Sequence, residues 1–431
     1  MTIFHKNIKQ SVLWRGLYFF SLLLLNIFLS RYLKAEGIGA LFYLSNFFSL
    51  LIVVLGFNMD GSFTYFSSSK TIHHNKLAFL GIFWTILVSI VTYLLLSKYF
   101  IWFNKDMLIT QPLMVNYGLR FIVGILLTSC FTMLFYSVGN YFLPNIILSV
   151  CNLLTVAIIA FANQINLTAA SITNIYFYLI LFQGLLLSIA FIYKNGFSSF
   201  YFPTIKEQKQ LVKYAAVGLS GNIIFFFVYK LDYWFVNDWC HQSGHLGNYI
   251  QASKLSQMLL ILPQILAMSI LPQMASGQQH KEVVQTILKL FKSFLILFIF
   301  LFFLLLLTGK FIFSSVFGAS FSTMYLPMII LLPGIFCLSI SSLLSAYFSG
   351  KNQNKYNLYA AVVALIVMLS LSFLLKSIYS IYIAAAISSI AYSCEALFCF
   401  IKFIKQEKIN VKQLLFFTKE DWQLLKKTFT N

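Results

Sequence analysis

The sequence predicts an all-α protein that crosses a membrane about twelve times, with the helices arranged in two lobes of six. The first observation is composition: 60% of the 431 residues are hydrophobic, 10% are charged, and the mean hydropathy is +0.85. The second is the stretch from Phe121 to Tyr193, which contains no Asp, Glu, Lys or Arg. That stretch is long enough for three bilayer crossings of roughly 20 residues each. A soluble domain could not bury so long an apolar segment.

Apolar segments separated by turn residues and charges define the individual spans. Gly139, Asn140 and Pro144 separate spans four and five, and the polar stretch from Lys351 to Lys355 separates spans ten and eleven. The predicted limits are 12–33, 39–58, 77–97, 115–136, 143–162, 172–193, 213–236, 249–271, 289–309, 324–347, 356–375 and 380–403.

The distribution of positive charge predicts the orientation. With a cytoplasmic N-terminus, the segments on the inner side hold 21 of the 30 Lys and Arg residues, the outer segments hold six, and three lie within spans. Because positive charge accumulates on the cytoplasmic side, both termini are expected inside. In a soluble protein the net charge of +19 would suggest nucleic acid as a partner, but here the cations flank membrane spans and no nucleic acid is expected.

No predicted loop exceeds about 20 residues, so no soluble catalytic domain is expected. The expected parts are an N-terminal lobe (1–194), a cytoplasmic linker (195–211), a C-terminal lobe (212–404) and a basic amphipathic tail (405–431). Gly-containing turns before spans two and eight, at Glu36–Gly39 and Gly244–Gly247, suggest duplicated halves, a common plan in transporters. In the tail, Thr418 and Asp421 form a capping box. A helix on the cytoplasmic leaflet is expected there, with a solvated, disordered tail as the alternative.

Charges inside spans are costly and mark candidate functional sites. In span four, Asn116, Arg120 and Thr128 form a polar stripe with Gly124 between them. Arg120 can line an aqueous lumen and bind phosphate or carboxylate, or it can reach the outer interface or pair with a neighbouring helix. Arg15 enters span one near the inner face, where it can meet an incoming phosphate or anchor the helix.

Span eight carries Gln251, Lys254, Gln257 and Gln264 near one helical face. These side chains suggest a hydrated wall that binds sugar hydroxyls, with hydrogen bonds between helices as the alternative. Pro263 predicts a bend beside them.

Three carboxyl groups are candidates for coupling transport to an ion. Span seven ends with Lys230 and Asp232; Asp232 can bind a coupling ion or orient a cation from span eight. Asp60, at the end of span two, and Glu395, in span twelve, are further proton-site candidates.

Nucleotide-binding, zinc-protease and serine-hydrolase signatures are missing, so the sequence predicts a transporter with no cofactor and no metal site, and not an enzyme. The six cysteines form no C-x-x-C pair and are expected to be free, small apolar residues.

Several segments, in this order, resemble the Wzx-type polysaccharide-repeat flippases of the multidrug/oligosaccharidyl-lipid/polysaccharide (MOP) exporter superfamily. Leu33–Gly39 is similar to the L-G-x-E-G-x-G turn, although Lys34 replaces a glycine. The segment from Lys213 with its late Asp232 is similar to span seven, and Leu246–Tyr249 with Ala252 resembles the L-G-x-Y-x-x-A start of span eight. Later similarities are Pro272, Phe317–Gly318, Pro333, Ser349–Lys351 and Ala384–Ala385.

The resemblance implies two lobes that form a V around a central cavity, in the inner membrane of a bacterium. It implies a substrate, an oligosaccharide repeat unit on undecaprenyl pyrophosphate, used for O-antigen lipopolysaccharide, capsule or exopolysaccharide. It also implies contact with membrane lipids, a polysaccharide polymerase and a chain-length regulator. The candidate substrate-binding residues are Arg15, Arg120, Lys230, Lys254, Gln257 and Gln264.

Two other functions remain open. An ion-coupled multidrug or cation antiporter of the same fold would favour acidic groups, whereas the spans contain more cations than carboxylates. A membrane glycosyltransferase or polymerase usually needs a larger outer loop with carboxylates, and the outer loops here hold only Glu36, Asp106 and Asp238.

Overall fold

The computed structural model describes residues 3–98, 110–195, 201–276 and 280–409, and all regular structure in these ranges is helical. The predicted all-α membrane fold is confirmed. The C-terminal tail beyond 409, including its capping box, lies outside the described residues. The α-helices are α1 (Ile3–Leu55), α2 (Met59–Ser68), α3 (His74–Lys98), α4 (Gln111–Ser137), α5 (Phe142–Ala160), α6 (Ala169–Asn195), α7 (Ile205–Trp239), α8 (His245–Met258), α9 (Ile261–Ser276), α10 (His280–Phe317), α11 (Tyr325–Gly350), α12 (Lys355–Leu374) and α13 (Ile381–Glu407).

Ten helical segments in the described residues are long and apolar enough to cross a membrane. One of them, in α1, carries both span one and span two, which are bent at Lys34 with φ of 60°. Span eight is divided between α8 and α9, each too short to be counted among the ten. Counting α1 twice and adding span eight gives the twelve predicted crossings. The turn between spans one and two is at Lys34 and not at the glycines, because Gly37 and Gly39 lie inside the helix.

Span two is interrupted near its end. Helix α1 stops at Leu55, Phe57 and Asn58 both take φ of 54°, and α2 then continues to Ser68. The expectation that Asp60 ends the span was therefore wrong, because Asp60 lies in the first turn of α2. The left-handed backbone at two successive non-glycine residues ends the hydrogen-bonded helix and allows a new one to start.

Span eight is also interrupted, between Met258 and Ile261. Pro263 lies in the first turn of α9, where its missing N–H would have no helical partner in any case. Near Pro263, where the sequence predicted a bend, the helix is interrupted by a two-residue turn at Leu259 and Leu260. Gln264 belongs to α9 whereas Gln251, Lys254 and Gln257 belong to α8, so these four side chains are divided between two helices, and their position near one face stays a prediction.

The chain divides into two compact units, Met1–Phe226 and Phe227–Asn431. The division falls within α7, whereas the sequence placed it in the linker 195–211. The first part of α7 groups with unit 1 for a physical reason. Leu211 and Ala215 are buried in the core of that unit, and Glu207 forms an ion pair with Lys76 of α3 at 2.9 Å.

A very close helix crossing occurs in each unit, and the two crossings involve equivalent helices. In unit 1, Gly124 of α4 faces the backbone of Ile180 of α6, so closely that a Cβ atom on Gly124 would lie 2.4 Å from the Ile180 carbonyl oxygen. In unit 2, a Cβ atom on Gly334 of α11 would lie 2.6 Å from the Cα atom of Ser389 of α13. The fourth and sixth spans of each half therefore cross closely, which supports the duplicated plan suggested by the sequence.

Candidate functional site

A polar cluster in unit 2 surrounds Lys230, in the second half of α7. The Lys230 ammonium donates to the Gln257 side-chain oxygen at 3.0 Å and to the Tyr233 hydroxyl at 3.1 Å. Tyr233 and Gln257 each donate in turn to the Ser253 hydroxyl at 3.1 Å. Helices α7 and α8 thus hold a cation entirely with neutral side chains. Lys230 forms no ion pair within the described residues.

Asp232 lies two residues further along α7, and its carboxylate is directed to a different set of partners. It is 2% exposed, and its Oδ2 atom accepts from the Tyr249 hydroxyl of α8 and from the Ser388 hydroxyl of α13, the latter at 3.0 Å. Its Oδ1 atom is buried and has no hydrogen-bond partner in the described part of the chain. A buried carboxylate with a free oxygen atom, surrounded by hydroxyl groups, has the donor chemistry to take up a proton or a metal cation.

Glu395 occupies a second buried acidic position in unit 2. It is 4% exposed and accepts from the Ser341 hydroxyl of α11 at 3.0 Å, while its other oxygen atom has no hydrogen-bond partner among the described residues. Asp232 and Glu395 are therefore both inside the helix pack and both held by neutral donors. The sequence named them as candidate proton sites, and nothing in the structure tests that role.

The polar residues of span eight have different environments. Gln251 is fully buried, Lys254 and Gln257 are half-buried, and Gln264 is exposed. Lys254 lies close enough to Lys230 for the two side chains to interact electrostatically. Of the span-eight side chains, the structure thus brings Lys254 and Gln257 into the cluster around Lys230.

Arg120 of unit 1 makes its contacts with a neighbouring helix. Its guanidinium donates to the Asn174 side-chain oxygen and lies over the Tyr178 ring, 3.8 Å from the ring centroid. Both partners belong to α6. Gly124, on the same stripe of α4, is in contact with α6 as well. Arg120 and Gly124 of span four therefore face α6, which corresponds to the helix-pairing alternative that the sequence left open.

The two other candidates of unit 1 lie apart from Arg120. Arg15 of α1 is half-buried, with its guanidinium 4.4 Å from the centroid of the Tyr136 ring of α4. Asp60 is half-buried, and one of its carboxylate oxygens accepts from the Gly61 backbone N–H at 2.9 Å. The substrate-binding role of Arg15 and the proton-binding role of Asp60 stay predictions.

Sequence reasoning missed the hydroxyl groups that hold the charged residues of unit 2: Tyr233, Tyr249, Ser253, Ser341 and Ser388. Tyr249 was noted as part of a sequence motif, without a role for its hydroxyl. Hydroxyl-bearing residues are frequent in membrane helices, so composition could not single these five out. Their importance depends on contacts between different helices, at separations of up to 156 residues for Asp232 and Ser388.

Comparisons with solved structures show what this chain is similar to. The lipid II flippase MurJ, in an inward closed conformation, matches with a TM-score of 0.70 and 14% identity over 94% of this chain and 89% of its own. An inward-facing multidrug resistance MATE transporter of the MOP superfamily matches with a TM-score of 0.69 and 12% identity over 92% and 94%. The chain has the fold of these transporters.

A variant of the Vibrio cholerae MATE transporter VcmN matches as well, with a TM-score of 0.65 and 14% identity over 94% of this chain and 98% of its own. No protein-family model and no curated protein matches the sequence. At these identities the similarity establishes a shared fold, and it does not distinguish a lipid flippase from a drug transporter.

Proposed function

We propose that this protein is a flippase that moves undecaprenyl-pyrophosphate-linked oligosaccharide repeat units across a bacterial inner membrane, with both termini in the cytoplasm. The observation that carries the proposal is the Lys230 ammonium, held inside the helix pack of unit 2 by the neutral side chains of Tyr233 and Gln257. A cation kept without a carboxylate partner is suited to bind an anion that arrives from outside the protein.

The hydrogen-bonding capacity of Lys230 supports an anionic ligand. An ammonium group has three N–H donors, and the described residues accept two of them. A pyrophosphate oxygen can accept the third. Lys254 lies nearby, and the Gln257 amide, which accepts from Lys230, offers the kind of group that binds sugar hydroxyls. Arg120 is left out of this set, because its guanidinium contacts Asn174 and Tyr178 of α6.

Asp232 is the best-supported site for a coupling ion, H⁺ or Na⁺. Its Oδ1 atom is buried without a partner, and the hydroxyls of Tyr249 and Ser388 already orient the carboxylate. Asp232 and Lys230 lie two residues apart in α7 and form no ion pair with each other. Because they are close, a change of charge at one alters the electrostatic potential at the other. Ion binding at Asp232 can thereby alter the affinity of Lys230 for the substrate phosphate.

The decisive experiment measures translocation of a lipid-linked oligosaccharide in proteoliposomes, as protection of the glycan from an added glycosidase. Lys230→Met should slow translocation at least about tenfold, since a charge-assisted hydrogen bond contributes roughly 1.5–3 kcal/mol. Lys213→Met is the matched control, because Lys213 is on the same helix but exposed. Equal rates for the two variants would refute the role of Lys230, and no translocation by the unmodified protein would refute the flippase proposal.

A second candidate function is supported by the two buried carboxylates, Asp232 and Glu395, which are held by neutral donors. Buried acidic groups of this kind suit an ion-coupled multidrug or cation antiporter. The same proteoliposomes distinguish the two functions. Export of a cationic dye that is abolished by Asp232→Asn, without movement of the lipid-linked glycan, would favour the antiporter.

The flippase proposal also includes partners. A polysaccharide polymerase and a chain-length regulator would receive the translocated repeat units, which are built into O-antigen, capsule or exopolysaccharide. Co-purification of these proteins with the intact chain from cell membranes tests this part of the proposal.

A further inference from the structure

Arg120 lies beside two apolar grooves on the surface of unit 1. The first groove, of about 530 Å³, lies between α5 and α6 and is lined by residues from Ile146 to Ile158 and from Ile175 to Leu186. The second, of about 460 Å³, lies between α3 and α4 and is lined by residues such as Ile86, Tyr93 and Val123. Leu185 of α6 lines both grooves, so they are adjacent.

The grooves match the dimensions of lipid chains. The first extends along α5 from Ile146 to Ile158, about 18 Å at the rise of an α-helix. One leaflet of a bilayer has a hydrocarbon thickness of about 15 Å, half of the full core. The side chains around the grooves include strongly exposed apolar residues such as Leu154, Phe182 and Ile90, as expected for a surface in contact with lipid.

The Arg120 guanidinium emerges beside the first groove. It lies over the ring of Tyr178, which is 50% exposed and lines that groove. Of its five N–H donors, one is accepted by Asn174, and no other acceptor lies among the described residues. Stacking on Tyr178 and the bond to Asn174 fix the orientation of the guanidinium plane. A partly exposed arginine with free donors, beside apolar grooves, offers a planar fork that suits a phosphate group.

The depth of Arg120 places that anion at the level of a lipid headgroup. Helix α4 has 27 residues, about 40 Å, so it extends about 5 Å beyond each side of a hydrocarbon core of about 30 Å. Arg120 comes nine residues after Gln111, which places its Cα atom about 8 Å inside the core. A long arginine side chain can cover most of that distance toward the headgroups. Asn174, nearer the start of α6, lies on the same path.

We propose that Arg120, Asn174 and Tyr178 form a binding site for an anionic diacyl phospholipid, with the phosphate on the guanidinium and the acyl chains in the two grooves. The lipid belongs to the leaflet at the N-terminal ends of α4 and α6, which run parallel, as the contacts Tyr117–Phe177 and Phe131–Phe191 show. With a cytoplasmic N-terminus, this is the outer leaflet. The site is independent of the cluster around Lys230 and of the transported substrate.

Native mass spectrometry of the full chain, released from nanodiscs that contain equal amounts of phosphatidylglycerol and phosphatidylcholine, tests the proposal. The unmodified protein should retain phosphatidylglycerol in preference to phosphatidylcholine. Arg120→Gln should reduce this preference about fivefold, the effect of one cation near a lipid headgroup. Arg31→Gln is the matched control, since it removes the same charge from another arginine and should leave the preference unchanged.

A second substitution, in the lining of the first groove, tests the proposal even if Arg120→Gln does not fold. Leu154→Trp leaves all charges in place and fills the first groove, so it should lower retention of phosphatidylglycerol. Equal retention of the two lipids by the unmodified protein would overturn the proposal, as would an unchanged preference in Arg120→Gln. Retention of added undecaprenyl phosphate in place of phospholipid, or loss of a dimer in Arg120→Gln, would also overturn it, because the occupant would then be the substrate or a second copy of this chain.

Discussion

The close crossing of α4 and α6 gives a stability prediction whose size follows from the structure. A Cβ atom on Gly124 would lie 2.4 Å from the Ile180 carbonyl oxygen and 2.7 Å from the Leu181 backbone nitrogen. These are backbone atoms inside a helix, so they cannot move away as a flexible side chain could. Gly124→Ala must therefore push the two helices apart, and overpacking of this kind costs about 1–3 kcal/mol.

The assay is thermal unfolding of the purified protein in detergent, with Gly221→Ala as the matched control. Gly221 is also helical, but a Cβ atom there would have no neighbouring atom within 4 Å. Both variants therefore gain the same helix propensity, and only Gly124→Ala adds a steric clash. At roughly 2–4 °C per kcal/mol, Gly124→Ala should unfold about 2–12 °C below Gly221→Ala. Equal midpoints would refute the close crossing. The double variant Gly124→Ala, Gly184→Ala should lower the unfolding midpoint by less than the sum of the two single effects. The Cβ atom of residue 184 would contact the Gly124 carbonyl oxygen, so both substitutions act at the same crossing.

Two further predictions concern charged side chains. Ser341→Ala removes the donor to buried Glu395 and should cost about 1–3 kcal/mol of stability, measured as a lower unfolding midpoint, whereas no change would show that Glu395 has another partner. The partly exposed pair of Lys76 and Glu207 should show a coupling of at most about 1 kcal/mol in a double-mutant cycle of Lys76→Met and Glu207→Gln. That coupling should decrease in high salt, and salt-independent coupling would contradict its electrostatic origin.

The sequence predicted the spans well and the breaks within them poorly. Hydropathy reports the length of apolar chain that the bilayer requires, so the number of crossings could be derived from composition and charge. The break at Phe57 and Asn58 has no comparable signal, since two non-glycine residues in left-handed backbone are rare. Pro263 did indicate the start of α9, because proline is favoured in the first turn of a helix.

The candidate site was predicted only in part, for a related reason. A lysine or aspartate in an apolar span is visible in the sequence, which is why Lys230 and Asp232 could be named. Their surroundings depend on long-range packing: Asp232 accepts from Ser388, which is 156 residues away. The periodicity of span four correctly put Arg120 and Gly124 on one face, but periodicity cannot tell whether a polar face meets water or another helix.

Arg120 and Lys230 show two ways in which a membrane helix can hold a positive charge. The planar guanidinium of Arg120 can stack on Tyr178 and donate to Asn174 while its other N–H groups stay available for a ligand. Lys230 has a compact ammonium within a set of hydroxyl and amide groups that are themselves hydrogen-bonded. Arginine is suited to a permanent position beside lipid, since it keeps its charge there. Lysine within a neutral network suits a site that binds and releases an anion, because no carboxylate competes with the ligand. The proposals for the two residues, a bound phospholipid at Arg120 and the substrate phosphate at Lys230, rest on this difference. Exchanging the residue types, by Arg120→Lys and Lys230→Arg, should impair lipid retention in the first case and translocation in the second.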